Sequence, residues 1–384
     1  MKRRDLLKGS TIMSFGMLRG GNAGGAVNED PFPPKKIIKK SPAGYSPLAY
    51  LERVDNEITP RLAFRAVSRK EAQTWQTGLR EKLWELLGET GATGGTAPAG
   101  RLLDSARADG YTREKWELDI VPGRTMPVYV LRPDGMTAHT KTVLCLHGHG
   151  NGARDIINMP VDDDARELIR VINTGYAEQC VRRGWCAVAP ELFTFGERTD
   201  YVEDARPGFD GGCEKPFLNA VQVGKTLIGI RAKDICTLID WMDTRNDINT
   251  EDLACIGISG GGMMTMYVSA LDTRVNRAII SGYMTEMKDS ILALRHCSCN
   301  YVPRLAEWAD FPDIGGLIAP RYLIIQSGKR DGIFPIESVR RAYEKIRSIY
   351  SVYGIPERVS LHEHDGFHSF WNASLDELFK PLNQ

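Results

Sequence analysis

The stretch Gly257-Ile258-Ser259-Gly260-Gly261 narrows most sharply what this chain can become. It follows the apolar run 253–258 directly and leads into residues 263–270, which read as a helix. A serine between a strand and a helix stands on a sharp turn, and its neighbours must be small for the backbone to close there. Such a turn pushes the hydroxyl out of the sheet, where a reacting molecule can reach it. A Gly-rich turn can also merely end a strand or cradle a phosphate. The phosphate reading asks for a lysine after the glycines, and none follows.

The surrounding pattern supplies the scaffold that such a turn requires. Residues 116–120 alternate with period two, and 126–131 read as their partner strand. Residues 142–146 form a short apolar run of the kind buried on both faces. The pattern predicts a helix over 165–183, a strand over 185–189 and a long helix over 225–245. Leu227, Ile230, Ile235, Leu238, Ile239 and Met242 form the buried stripe of the long helix. Strands over 254–258, 278–281, 322–326 and 359–361 complete the series. Two early strands followed by strand–helix alternation predict an α/β fold, a mostly parallel sheet covered by helices on both faces. Function then belongs at the carboxyl ends of the strands. Upstream, residues 47–87 carry apolar residues at helical spacing, and 88–100 form a Gly/Thr/Ala-rich loop that reads as a boundary. Residues 27–43 are a Pro- and Lys-rich extended arm.

A nucleophilic serine needs a base, and on this scaffold the base follows it in sequence. The choices are His296, His362, His364 and His368. His362 and His364 alternate on a strand, whereas His368 lies in the loop beyond it, where an imidazole can reach inward. His368 is the preferred base. The imidazole needs a carboxylate to fix its tautomer. Asp331 follows the strand 322–326 and completes the order Ser259, Asp331, His368. Asp365 is the local rival, but it has little freedom to reach a ring three residues away. Two backbone N–H groups must also face the developing negative charge. Gly260 supplies one. The other comes from His147-Gly148-His149-Gly150, with His149 preferred and Gly148 the alternative. A competing reading makes His147 and His149 metal ligands, with His362 and His364 as further candidates; no carboxylate or cysteine spacing supports it.

Together these residues resemble the α/β-hydrolase superfamily, and specifically its dienelactone-hydrolase and acetyl-xylan-esterase-like bacterial branch. The likeness runs from about Tyr111 to the C terminus. It rests on the loop from His147, on Gly257 to Gly261, on Asp331 with Pro335 behind it, and on His368. Gly196-Glu197-Arg198, Cys297-Ser298-Cys299-Asn300-Tyr301-Val302-Pro303 and Leu317-Ile318-Ala319-Pro320-Arg321 are further family-like features. The resemblance implies an α/β-hydrolase domain over 111–384, preceded by an arm and helical N-terminal extension over 27–110. Residues 284–316 would form an insertion over the site. It also implies a serine ester hydrolase working through an acyl-enzyme, without metal or organic cofactor, on a small-molecule or carbohydrate ester. Dienelactone hydrolases proper use cysteine where Ser259 stands, so ordinary esters fit better. His147, Glu197, Arg198 and Tyr301 are candidate substrate contacts, with structural ion pairing or packing as the alternative. Rival functions are a prolyl-oligopeptidase-like peptidase and a non-catalytic exported binding protein. The 110 or so residues upstream are too few for the propeller the first usually carries, and the complete Ser-Asp-His set weighs against the second.

Composition excludes other classes. Forty-nine basic residues balance forty-nine acidic ones, which offers nothing for non-specific phosphate binding to nucleic acid. No apolar run approaches membrane-spanning length. The N terminus, Met1-Lys2-Arg3-Arg4-Asp5-Leu6-Leu7-Lys8, precedes a short apolar stretch and then small residues to position 26. That anatomy resembles a twin-arginine export signal and implies a periplasmic or secreted protein. Residues 1–26 hold a surplus of four positive charges, so their removal leaves an acidic remainder. The eight cysteines are scattered, and several sit in apolar runs where a free thiol acts as a small core residue. Cys297 and Cys299 lie in a loop-like stretch, where redox activity or metal binding are alternatives, but no CxxC pair strengthens a zinc reading and a structural role is favoured.

Overall fold

Thr142, Val143, Leu144, Cys145 and Leu146 have no exposed surface in the computed structural model, which describes residues 41–89, 96–200 and 212–380. A strand this apolar must be covered on both faces, and its side chains divide accordingly. Leu144 and Leu146 enter one core cluster, and Val143 and Cys145 the other. The strand, Thr142–Leu146, is β4 of a nine-stranded sheet. The others are β1 (Gly100–Ala108), β2 (Tyr111–Val121), β3 (Arg124–Pro133), β5 (Cys186–Pro190), β6 (Leu253–Ile258), β7 (Val275–Ser281), β8 (Tyr322–Gly328) and β9 (Val359–His364). Their order is β1-β2-β3-β5-β4-β6-β7-β8-β9. The pairs β1–β2, β2–β3 and β3–β5 are antiparallel, and every other pair is parallel. The mostly parallel α/β sheet expected from the sequence is therefore present.

Among the described residues eleven α-helices accompany the sheet: α1 (Pro47–Glu57), α2 (Arg69–Leu87), α3 (Ala153–Ile156), α4 (Asp163–Ile172), α5 (Tyr176–Arg182), α6 (Glu214–Gln222), α7 (Leu227–Asp243), α8 (Gly260–Leu271), α9 (Phe311–Gly316), α10 (Ile336–Val352) and α11 (Ala373–Leu378). Residues of α2, α7, α8, α9 and α10 build the larger core, and those of α3, α5 and α11 the smaller one on the opposite face. Buried residues run round all sides of α7 and α8, as expected of helices enclosed by protein.

Two expectations change. The helix predicted over 165–183 is two helices, because Asn173 adopts a left-handed conformation (φ 57°) and ends α4. Asparagine tolerates that conformation better than most residues. The second change concerns the boundary near residue 110. The sheet begins earlier, at Gly100, and β1 pairs with β2 from Gly100↔Leu118 to Ala108↔Tyr111. The edge position of β1 explains the missing sequence signal: Leu102 and Leu103 are exposed, so no apolar alternation marks it.

Helix α2 is bound into the same core through Leu79, Leu83, Trp84 and Leu87. Its start is capped by the Ser68 hydroxyl and its end by Gly88 at φ 72°. Gln76 Nε2 donates to the carbonyl of Ala319 (2.7 Å). Arg80 donates to Ala270 O (2.8 Å) at the end of α8 and to Leu317 O (2.7 Å) before β8. Residues 284–316 contain three short 3₁₀ turns and α9, with Met284, Met287, Ile291 and Leu305 buried. Residues 1–26, and the arm up to residue 40, lie outside the described residues. Among the described residues no helix is long and apolar enough to cross a membrane.

Candidate active site

The turn from β6 into α8 holds Ser259 at φ 58°, ψ −122°, a region that non-glycine residues seldom occupy. Packing around the turn enforces it. A methyl on Gly257 would stand 2.5 Å from the backbone of Gly261, and one on Gly261 would stand 2.0 Å from Leu146 O. A methyl on Gly262 would stand 2.4 Å from Ser281 O. Glycine at these positions lets the turn press against the ends of β4 and β7. Ser259 N–H donates to Ser281 O (3.0 Å), and Ser259 O accepts from Met263 N–H (2.8 Å), the first bond of α8.

The loop after β4 runs alongside. Gly148 lies against this turn, with its absent side-chain position 2.9 Å from Ile258 O and 3.5 Å from both Gly260 N and Ser259 Cβ. Gly260 opens α8, so its N–H is among those a helix leaves without an intrahelical acceptor. The half-buried His149 turns Nδ1 to within 3.1 Å of the position a Gly260 side chain would take.

The turn after β8 presents Asp331, and the loop after β9 presents His368. Asp331 Oδ2 lies 2.7 Å from His368 Nδ1, and both side chains are almost fully buried. The other carboxylate oxygen accepts from the N–H groups of Ile333 (2.9 Å) and Phe334 (3.1 Å), which fixes its plane. Phe334 stacks on the imidazole at 5.6 Å between centroids. Asp365 instead points into solvent and pairs with Lys329 (2.9 Å). The ring of His368 rests against Gly282, which directly follows the Ser281 that holds Ser259. Ser259, Asp331 and His368 thus come from the ends of β6, β8 and β9, on one side of the sheet.

The other candidates have different occupations. His147 Nε2 accepts from Leu192 N–H (3.0 Å) and lies 3.1 Å from Glu191 Oε1. His362 bonds Ser374 (2.9 Å) and Ser360 (3.3 Å), and His364 Nδ1 accepts from Gly366 N–H (3.1 Å). The four histidines of the competing metal reading are therefore dispersed. Glu197 pairs with Lys115 and accepts from Tyr129 OH (3.1 Å). Arg198 is held by Asp234 Oδ2 (2.8 Å) and Glu191 O (3.0 Å). Tyr301 OH donates to Ile291 O (3.1 Å). The contacts of Glu197, Arg198 and Tyr301 bind the scaffold together.

Glu191 and Phe195, both near the site, escaped the sequence reading, and His296, a candidate base there, has another occupation. Glu191, wholly buried after β5, accepts from Ala153 N–H (3.1 Å), and methyls on Gly152 and Gly196 would collide with its carboxylate. Those two glycines were the only trace of it in the sequence. Phe195 stands edge-on to both His147 (5.3 Å) and His149 (5.2 Å). His296, in the 284–316 segment, bonds Ser290 (3.1 Å), and burial, with the nearby His149, brings its pKa down to about 4. All eight cysteines are buried and free of disulfides.

A strained serine between strand and helix, with a carboxylate-bound histidine on later strands, can be compared with known proteins. YtaP of Bacillus subtilis strain 168, named as a candidate hydrolase, is 24% identical over 246 residues, which are 62% of this chain and 76% of that protein. A Bacteroides fragilis structure named as a candidate acetyl xylan esterase superposes with a TM-score of 0.69 at 21% identity, covering 83% of this chain and 82% of its own. A glucuronoyl esterase from Solibacter usitatus gives 0.60 at 13% identity, covering 84% and 97%. At these identities the two structures speak for the fold alone. The Abhydrolase family model matches residues 46–374, from the helical extension through the loop of His368 and on into α11. With that match spanning α1, the whole sheet and the turns just described, the chain belongs to the Abhydrolase family and has the α/β-hydrolase fold.

Proposed function

We propose that this hydrolase is a serine carboxylic-ester hydrolase acting through Ser259, His368 and Asp331. The observation that carries the reading is the buried contact of Asp331 Oδ2 with His368 Nδ1 at 2.7 Å, beside a serine held at positive φ. With Nδ1 bonded to Asp331, His368 takes the Ser259 proton on Nε2 as the oxygen attacks the ester carbonyl. The carbonyl π electrons move onto oxygen, and the N–H groups of Gly260 and His149 stabilise that oxyanion. Collapse expels the alcohol, which takes the proton from His368 and leaves an acyl-serine. Water then repeats the cycle, releasing acid and free enzyme. The substrate class we favour is acetyl or other short acyl esters of carbohydrate, in line with the names of the structural neighbours. We propose export through the twin-arginine route from the Arg3-Arg4 leader.

The test is hydrolysis of p-nitrophenyl acetate, acetylated xylan and peptide amides by the parent chain and by Ser259→Ala. Ester turnover that vanishes in the variant supports the reading. Equal turnover by both chains, or cleavage confined to amides, overturns it.

A further inference from the structure

On the far side of His149 from Gly260, three cysteines converge from distant parts of the chain. Cys213 immediately precedes α6, and Cys297 and Cys299 flank Ser298 in the segment between β7 and β8. The sulfurs of all three and a ring nitrogen of His149 lie within 4.8 Å of one another. His149 Nε2 is 3.3 Å from Cys299 Sγ. The three thiols are buried, and the imidazole is half-buried.

We propose that these four side chains bind a zinc ion in a Cys3His site. Three thiolates and one imidazole form a tetrahedral donor set of the kind zinc occupies in closed structural sites. Zinc bonds of about 2.3 Å to sulfur and about 2.0 Å to nitrogen put neighbouring donors roughly 3.5–3.8 Å apart. Small side-chain rotations bring the present atoms to that spacing. The sequence lacks a CxxC pair because the donors come from three separate segments.

The charge around the cluster agrees. A zinc dication bound by three thiolates and a neutral imidazole carries one net negative charge. Arg231, from α7, is almost fully buried, and none of the described carboxylates pairs with it. Its Nη2 points at Cys213 Sγ (3.4 Å) and donates to Thr194 Oγ1 (2.7 Å). A guanidinium cannot accept a hydrogen bond, so Cys213 is the acceptor there. The Thr194 hydroxyl lies 3.2 Å from the same sulfur and can donate to it. Asn300 Nδ2 donates to Cys299 Sγ at 3.9 Å. Donors aimed at ligating sulfurs are the usual outer shell of a thiolate metal site. A disulfide would use two of the sulfurs and leave the third, the imidazole and the Arg231 charge unexplained.

The ion would tie the loop after β4 to the start of α6 and to the 284–316 segment. This inference does not depend on the esterase reading. The test is metal analysis of the full-length chain, purified from zinc-supplemented cells and desalted over a weak chelating resin. About one zinc per chain is expected, retained by Ser259→Ala and by Cys145→Ser, whose sulfur lies elsewhere in the core. Cys213→Ser and Cys299→Ser should each lose most of it. Because those variants can misfold, the wild-type chain is also loaded with cobalt, where thiolate-to-cobalt charge transfer and tetrahedral ligand-field bands are expected. A zinc-free wild-type chain without those bands overturns the proposal. So does a disulfide among Cys213, Cys297 and Cys299 in the mass spectrum of the purified chain.

Discussion

His368 rests on Gly282: a methyl built on that glycine would lie 2.9 Å from the imidazole Cε1 and 3.1 Å from Nδ1. Gly282 also sits at φ 52°, which a larger residue resists. Gly282→Ala should therefore push the ring off its station while leaving most of the core in place. We expect ester turnover to fall about 10²-fold, the scale of a misplacement near 1 Å, with a far-UV circular dichroism spectrum like the parent's. Undiminished kcat would show that the ring tolerates the shift.

Asp331 and Asp365 stand on opposite sides of His368 in energetic terms. The first is buried against Nδ1, and the second is paired with Lys329 in solvent. Asp331→Asn should lower kcat by about 10⁴-fold, because the amide favours the wrong imidazole tautomer. Asp365→Asn should leave kcat within about two-fold, since exposed ion pairs contribute little. Steady-state kinetics on one activated ester separates the two, and equal losses would overturn the assignment of the carboxylate.

Truncation tests where the folding unit begins. Removing residues 1–45 leaves α1, α2 and β1 intact. Removing 1–110 strips Leu79, Leu83 and Leu87, all without exposed surface, from the larger core. Each buried leucine side chain is worth about 2 kcal/mol, and that sum approaches the whole stability of an ordinary domain. The shorter deletion should stay soluble with a cooperative thermal transition. The longer one should aggregate, and a folded 111–384 fragment would refute this expectation.

Glu286 offers a pH-dependent prediction. Burial raises its pKa, but Lys345 and Arg341 outweigh burial and bring it from 4.5 down to about 2. A carboxyl with a depressed folded-state pKa stabilises the protein above its unfolded pKa, and that contribution fades as pH falls toward the folded one. Glu286→Gln should thus destabilise the chain at pH 7 by about 1 kcal/mol, given solvent screening of the two exposed cations. The gap should narrow between pH 4.5 and about 2. Urea midpoints of both chains across that range give the answer, and a gap independent of pH would exclude the ion-pair origin.

The parallel part of the sheet was legible because β4, β5, β6 and β8 are buried on both faces and read as apolar runs. The turns that bear Ser259 and Asp331 were legible because each follows such a run, and His368 because it lies in the loop beyond the half-buried strand β9. β1 was not, since an edge strand with exposed Leu102 and Leu103 owes its place to β2 alone. Glu191 was hidden for a different reason. What marks it is space left by Gly152 and Gly196, and only three-dimensional packing reveals what fills that space. The Cys213, Cys297, Cys299 and His149 cluster joins segments up to 150 positions apart, which local spacing cannot detect.

Arg80 touches no reacting group, yet it bonds the last turn of the helix that starts at Ser259 and the carbonyl of Leu317, ahead of the strand that ends near Asp331. One guanidinium therefore acts as a strut between the helix that follows Ser259 and the strand that leads to Asp331, at the end of the sheet remote from both. Tilting either element about that anchor would be magnified at its far tip, where the serine and carboxylate sit. Helix α2, which holds neither residue, thereby braces the two elements that carry Ser259 and Asp331 against each other.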